Sequence, residues 1–424
     1  MNMSIAEPQP RATELPQRSV LIVVGSLEIG GTENHIAAVA PLLLRKGWKV
    51  SVYSLAGEGA LGANLQRQNV RVISPPFAWR VLSQRRRTWL SYFRVLSAGV
   101  HLLWVAIRER PRIVHFFLPE AYLIGGLVAK AAKLPVRVMS RRSLNVYSQG
   151  RPLLRLLECR LHRSMAAILG NSRRVVRELE EIEKVPHPRL GLIYNGIDHT
   201  MFSPSGSRAQ TRESLGLSTE TLALITVGNL IPYKGHLDLI DALALAAHRM
   251  PHEWRLLVVG RDHGVQQALQ QKAFDYGLQE RISFLGQRTD VAALLAASDI
   301  GVLCSHQEGF SNAILESMAA GLPMIVTDVG GNAEAVTNGT CGLVVPAQSP
   351  ADLAEAVCRM TADAALRARF GDAARARIKD QFSLSVCVTK YDLLYRTLLA
   401  GGSVQDVPGV RFADTCSPEG RALA

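Results

Sequence analysis

Glu308 and Glu316 stand eight positions apart in the run EGFSNAILE, followed by MAAGLP, an apolar stretch and a Gly-Gly turn. Ser311 and Asn312 are good N-cap residues, and Gly321 with Pro323 is a stop signal, so a helix is expected over roughly Ala313–Ala320. Glu308 then lies in the loop before the helix and Glu316 in its first turns. A helix start offers N–H groups with no intrahelical partner, and these favour an anion. Carboxylates accept from hydroxyls. Amides around Phe310–Ala313 beside two carboxylates therefore suit a ligand with phosphate at one end and hydroxyls at the other, as in a nucleotide sugar. The plain alternative for Glu316 is an acid placed to satisfy the helix dipole; spacing alone does not decide between the two.

Two further turns have the residues for phosphate chemistry. In LIVVGSLEIGGTENH, Gly30 and Gly31 let backbone approach a ligand closely before a helix start. The spacing is not G-x-G-x-x-G, so the strict nicotinamide fingerprint is absent, and an ordinary tight turn explains Gly-Gly equally. Glu33 and His35 read as first-turn residues. In VGNLIPYKGH, Lys234 sits between a strand and a helix, where an ammonium would neutralise a diphosphate or simply be solvated. No D-x-D metal motif occurs.

The elements that position these residues are short Val/Ile/Leu-rich runs alternating with helical patterns. Strands are expected at Val20–Val24, Lys49–Leu55, Val70–Ile73, Ile113–Phe116, Arg137–Met139, Ala167–Leu169 and Leu190–Ile193, then at Leu222–Val227, Arg255–Val259, Ile282–Leu285, Ile300–Cys304, Met324–Thr327 and Leu343–Val345. Runs without polar alternation are strands covered on both faces, so the fold class is α/β with two doubly wound parallel sheets. Domains are expected over 19–200 and 206–382, separated by the turn-rich NGIDHTMFSPSGS, with a flexible tail over 402–424.

At 424 residues the chain is too long for one core. Six cysteines without a C-x-x-C pair argue against a disulfide framework or structural zinc and fit a reducing compartment. The first 18 residues lack a basic segment followed by an apolar one, so no secretory signal is expected and the location is cytoplasmic, free or on a membrane surface. Residues 1–200 carry 29 Lys and Arg against 13 Asp and Glu, whereas the remainder carries 19 against 23. The first half therefore faces something anionic: nucleic acid, lipid or a phosphorylated acceptor.

EGFSNAILE, followed by GLP, a strand and GGNAE, resembles the E-x7-E signature of retaining glycosyltransferases of family 4, which have the GT-B fold. GGTENH, IYNGID, VGNLIPYKGH and LGQRTDVAALLAASDIGVLCS follow in the family's order, and the resemblance covers roughly Val20–Leu399. It implies two Rossmann-like domains facing a cleft, with a helix within Leu384–Leu399 returning to the first. It implies a nucleotide-sugar donor (UDP- or GDP-sugar), a saccharide or lipid-linked acceptor, no nucleic-acid partner, no cofactor and no metal. Glu308 would bind donor sugar hydroxyls and Glu316 the ribose. Lys234 would meet the diphosphate, together with backbone at Gly30–Gly31 and amides of Phe310, Ser311 and Asn312. Two positions depart from the family. Asn229 stands where an arginine is usual, leaving Lys234 or Arg261 to compensate. Phe117 stands where the acceptor-loop histidine is usual, leaving His115 or Glu120 to take its catalytic place; a hydrogen-bonded core histidine is the other reading of His115.

On the acceptor side, Arg141 and Arg142 follow a strand and would sit at the cleft mouth, pairing with an acceptor phosphate or with surface acids. The segment WRVLSQRRRTWLSYFRVLSAGVHLLWVAIRERPR mixes aromatic and aliphatic residues with arginines. Arg85–Arg87 with Trp89 and Tyr92 suggest contact with an anionic membrane, whereas Val95–Ile107 reads as a helix packed inward. The expected function is sugar transfer in cell-surface polysaccharide or glycolipid synthesis. The alternatives are a sugar-nucleotide epimerase of the same fold, a nicotinamide-dependent oxidoreductase, and a non-catalytic binder of anionic lipid or polymer.

Overall fold

A computed structural model describes residues 18–76, 89–144, 150–202 and 208–412, without the side chains of residues 89–94. The arginine run Arg85–Arg87 and the side chains of Trp89 and Tyr92 lie outside the described residues.

The first sheet contains β1 (Ser19–Val24), β2 (Lys49–Ser54), β3 (Arg71–Ile73), β4 (Ile113–Phe117), β5 (Val136–Arg141), β6 (Ala167–Gly170) and β7 (Leu190–Leu192). Its order is β3-β2-β1-β4-β5-β6-β7, with every pairing parallel. The second contains β8 (Leu222–Val227), β9 (Trp254–Val259), β10 (Ile282–Gly286), β11 (Ile300–Leu303), β12 (Met324–Thr327) and β13 (Gly342–Val345). Its order is β10-β9-β8-β11-β12-β13, again parallel. Each expected strand is present within one or two residues. The run of Val20–Val24, at most 1% exposed, shows why it lacks polar alternation: helices cover both faces.

Strand order reverses between β1 and β4 in one sheet and between β8 and β11 in the other. Ligands of such sheets bind beyond the strand C-termini at that reversal. Gly30–Gly31 follow β1, Leu118 and the helix start bearing Glu120 follow β4, Lys234 follows β8, and Glu308 follows β11. The sequence landmarks thus collect at two reversal points.

The helix Leu384–Leu399 returns to the first domain, burying Leu384, Val388, Leu394 and Leu398 against the β1 and β2 core, and Trp48 Nε1 donates to Asp392 Oδ1 at 2.8 Å. The tail is not free as expected. Val404, Val407 and Val410 are buried in the same core, and Leu192 N donates to Val410 O at 2.7 Å. Gly, Ser and Pro around these valines hid an apolar repeat. Burying each valine contributes about 1.5–3 kcal/mol, and the segment also covers the open edge of β7. Residues 413–424 lie outside the described residues. Among the described residues, no helix is long and apolar enough to cross a membrane.

Candidate active site

The loop from β8 brings Lys234 onto the end of β11. Gly235 has φ +69°, and a Cβ there would stand 2.0 Å from Cys304 O, so only glycine permits this approach. Lys234 Nζ pairs with Glu308 Oε1. Ser305 Oγ donates to the same oxygen at 2.9 Å, and Thr327 Oγ1 fixes Ser305 by donating to its carbonyl at 2.6 Å. The Lys234 and Glu308 side chains are 16% and 12% exposed, so the pair is shielded from water but reachable. Asn229 and Arg261 are exposed in neighbouring loops, which are joined by Leu230 N donating to Arg261 O at 2.9 Å.

The helix after Glu308 spans Asn312–Ala319, one residue earlier than expected, with Ser311 at the N-cap position. Neither Ser311 nor Asn312 caps it with a side chain. Asn312 instead reaches across the cleft: its Nδ2 donates to Gly31 O at 3.0 Å, and its Oδ1 accepts from Asn195 Nδ2 at 2.6 Å. The helix Gly31–Arg45 likewise begins at Gly30 without a side-chain cap. Two helix starts, one from each domain, therefore meet with amides left for an anion. The Glu316 carboxylate, partly buried in the second turn, accepts no hydrogen bond from the described residues, and burial raises its pKa to about 7. A carboxylate held dry without a donor is poised for hydroxyls supplied by a ligand.

Two sequence expectations in the first domain are overturned. His115 does not face the cleft. It is 0% exposed, with Nδ1 at 2.6 Å from Tyr395 Oη and Nε2 at 2.8 Å from Ser140 Oγ. Burial, with the charge of Arg142, holds its pKa well below the usual histidine value. His115 and Phe117 do share a strand face, their rings 4.2 Å apart, but that face is the one the C-terminal helix covers. Arg141 does not reach the cleft mouth either. It is buried, donating to Glu158 at 2.5 Å and to Glu183 at 3.0 and 3.1 Å. Glu158, His162 and Glu183 bring ligand atoms within 4.8 Å of one another; Arg141 fills that cluster as an internal counterion.

Arg142 points to the domain junction. It is buried, 8% exposed; its Nη2 donates to Asn195 Oδ1 at 2.5 Å, and its guanidinium lies 5.8 Å from the Phe117 ring centroid. Burial raises the pKa of nearby Glu33 against the opposing charge of Arg142. Glu120 is exposed at the start of the helix Pro119–Ala131, its Oε2 3.5 Å from where a Gly25 Cβ would stand. The preceding Leu118 has φ +70° and ψ 153°, a strained backbone for a branched residue at the edge of the cleft.

Sequence reasoning gave no role to Asn195 or Glu334. Glu334 accepts from Arg173 N at 2.8 Å, Arg174 N at 3.2 Å and Tyr194 Oη at 2.9 Å, clasping the second domain to a helix start of the first. Asn195 lies in the loop YNG, and Glu334 in the one-turn helix Asn332–Ala335 that follows the turn at Gly330 and Gly331; that placement beside glycines was the available signal.

Known proteins resemble both domains of the chain. The family model described as "Glycosyltransferase Family 4" matches residues 29–200, and "Glycosyl transferases group 1" matches residues 207–377. N-acetyl-alpha-D-glucosaminyl L-malate synthase of Bacillus anthracis is 28% identical over 72% of this chain and 79% of its own length. UDP-Gal:alpha-D-GlcNAc-diphosphoundecaprenol alpha-1,3-galactosyltransferase of Escherichia coli is 26% identical over 72% of this chain and 80% of its own. The crystal structure of Anabaena HepE in complex with UDP superposes with TM-score 0.77 at 22% identity, covering 90% of this chain and 100% of HepE. Two facing parallel-sheet domains, each matched by its own family model, make this chain a member of glycosyltransferase family 4 with the GT-B fold.

Proposed function

We propose that the chain is a retaining, metal-independent glycosyltransferase. It moves a sugar from a nucleotide-sugar donor to a lipid-linked or oligosaccharide acceptor in cell-surface polysaccharide or glycolipid synthesis. The carrying observation is the convergence of Lys234, Glu308 and two uncapped helix starts at the paired strand reversals. In this reading Glu316 accepts from the ribose hydroxyls and Glu308 from the sugar hydroxyls. Lys234 and the amides at Gly30–Gly31 and Phe310–Asn312 take the diphosphate, with Asn229 at the rim. Glu120 faces the acceptor, and Arg142, expected beside it, instead holds Asn195 at the junction.

The bond from the anomeric carbon to the diphosphate oxygen breaks, and the acceptor oxygen bonds to the same face of that carbon. The acceptor proton leaves with the diphosphate. Negative charge grows on the leaving group, where the Lys234 ammonium and the helix starts stabilise it in a site shielded from water.

The name of the Escherichia coli relative supports a lipid-linked acceptor, and the UDP bound by HepE supports a uridine donor. A thermal-shift screen of UDP-, GDP-, ADP- and dTDP-sugars tests the donor site. A ligand at 100 times its Kd adds about 2.7 kcal/mol of apparent stability. No shift with any of them contradicts the reading. NMR of the product with the matching donor tests retention. Interconversion of donor sugars without an acceptor would favour the epimerase instead.

A further inference from the structure

The helix Trp89–Glu109 has two apolar faces. Ala98, Leu102, Val105 and Ala106 are buried in the first domain. On the other side Leu96, Val100, Trp104 and Ile107 are 66, 60, 54 and 54% exposed. Their spacing aligns them in one stripe along the helix. The sequence reading of 95–107 as simply packed inward therefore accounts for half of it.

The stripe continues onto two neighbours. The helix Pro119–Ala131 packs alongside at Gly99, where a Cβ would stand 3.6 Å from Ile124 Cγ2, and it exposes Leu127. The helix Pro152–His162 packs on that one at Gly126, which faces Leu161, and it exposes Leu153 and Leu156, at 81% and 47%. Three adjacent helices thus turn large apolar side chains to water on one face, well beyond singly scattered residues.

The charge on this face is predominantly positive. Arg108, Lys130, Arg151, Arg155 and Arg160 are exposed along it or at its ends, and Arg108 folds its guanidinium over Trp104, 5.3 Å from the ring centroid. Among the described residues of these three helices the one exposed acid is Glu120, at the cleft end; Glu158 is buried and Glu109 is paired with Arg71 at 2.8 Å. A basic face with so little acid does not complement a second copy of itself in a two-fold contact.

We propose that this three-helix face docks on an anionic lipid surface. The stripe centred on Trp104 enters the headgroup region, and the arginines and lysines meet lipid phosphates. The middle helix carries Glu120 in its first turn, beside the cleft, so docking presents the cleft edge to the bilayer. That consequence for a lipid-linked acceptor rests on the function proposed above; the docking itself does not.

Flotation of the full chain with vesicles tests it. The chain binds vesicles of phosphatidylcholine containing phosphatidylglycerol, binds pure phosphatidylcholine weakly, and loses binding as salt rises. Combined Leu96→Ser, Val100→Ser and Trp104→Ser lowers binding by at least about tenfold, with the urea midpoint and UDP affinity held. Arg151→Glu with Arg155→Glu lowers it independently. Equal partition of wild type and triple variant overturns the proposal. So does a concentration-dependent dimer that the triple variant abolishes while vesicles take up neither protein. Vesicle binding and nucleotide binding are read separately, so either reading can fail without the other.

Discussion

The side-chain amide of Asn312 donates to the Gly31 carbonyl at 3.0 Å, joining the first turn of a helix in the second domain to the first turn of a helix in the first. That bond, with the one from Asn195 to Asn312 Oδ1 at 2.6 Å, holds two uncapped helix starts across a single crevice. Asn312→Ala removes both. It is expected to cost about 1–3 kcal/mol of stability and to weaken nucleoside diphosphate binding about tenfold, because the two dipoles are no longer held in register. Urea unfolding and UDP titration of the variant check both numbers.

Glu316 gives a pH signature. Its proton is held more tightly in the folded chain, with a pKa of about 7 against 4.5 for the ordinary carboxyl. Its contribution to stability is therefore complete below pH 4.5 and is lost as the pH rises through 7. With no donor bound, Glu316→Gln is expected to stabilise the chain at pH 8 by about 3 kcal/mol and to change little at pH 4.5. The same variant loses donor affinity at pH 8, where the wild-type carboxylate is free to accept ribose hydroxyls. Urea melts at the two pH values, with and without UDP, measure both effects.

His115 is a structural residue with both ring nitrogens bonded inside the first domain. His115→Ala is expected to cost about 2–4 kcal/mol, from the unpaired Tyr395 and Ser140 hydroxyls and the cavity. The pH dependence of kcat stays that of the wild type. An altered acid limb of the kcat profile in the variant would return His115 to the chemistry.

Glu334 accepts three hydrogen bonds from the other domain. Glu334→Ala leaves two backbone N–H groups and the Tyr194 hydroxyl without that acceptor. The expected loss is about 2–4 kcal/mol, with faster amide exchange at the start of the helix Arg173–Glu181. Hydrogen exchange followed by mass spectrometry reads the second effect locally.

The sheets were legible because strands covered on both faces are mostly continuously apolar, as Val20–Val24 and Leu222–Ile225 are. The pairing of Lys234 with Glu308 beside a helix start was legible because its parts are local in sequence, with the helix start after Glu308 and the Lys234 turn each carried by one run. The first-domain side was not. Whether His115 faces the cleft or the core depends on which sheet face the helix Leu384–Leu399 covers, and that contact joins residues 280 positions apart. Arg141 and Arg142 are neighbours of one residue type, yet Arg141 turns to Glu158 and Glu183 and Arg142 to Asn195. Strand alternation separates such neighbours, but only the tertiary partners say which of the two directions is the cleft. The packed segment at Val404–Val410 was hidden by its glycine, serine and proline neighbours.

The central claim is that Lys234 and the converging helix starts form a nucleoside diphosphate site. Calorimetric titration of UDP and GDP into the wild type and into Lys234→Met tests it most directly. The account predicts saturable binding of at least one of them by the wild type, weakened about 10–100-fold in the variant, with the fold retained. Binding of neither nucleotide by the wild type, or equal affinity in the two proteins, would contradict it.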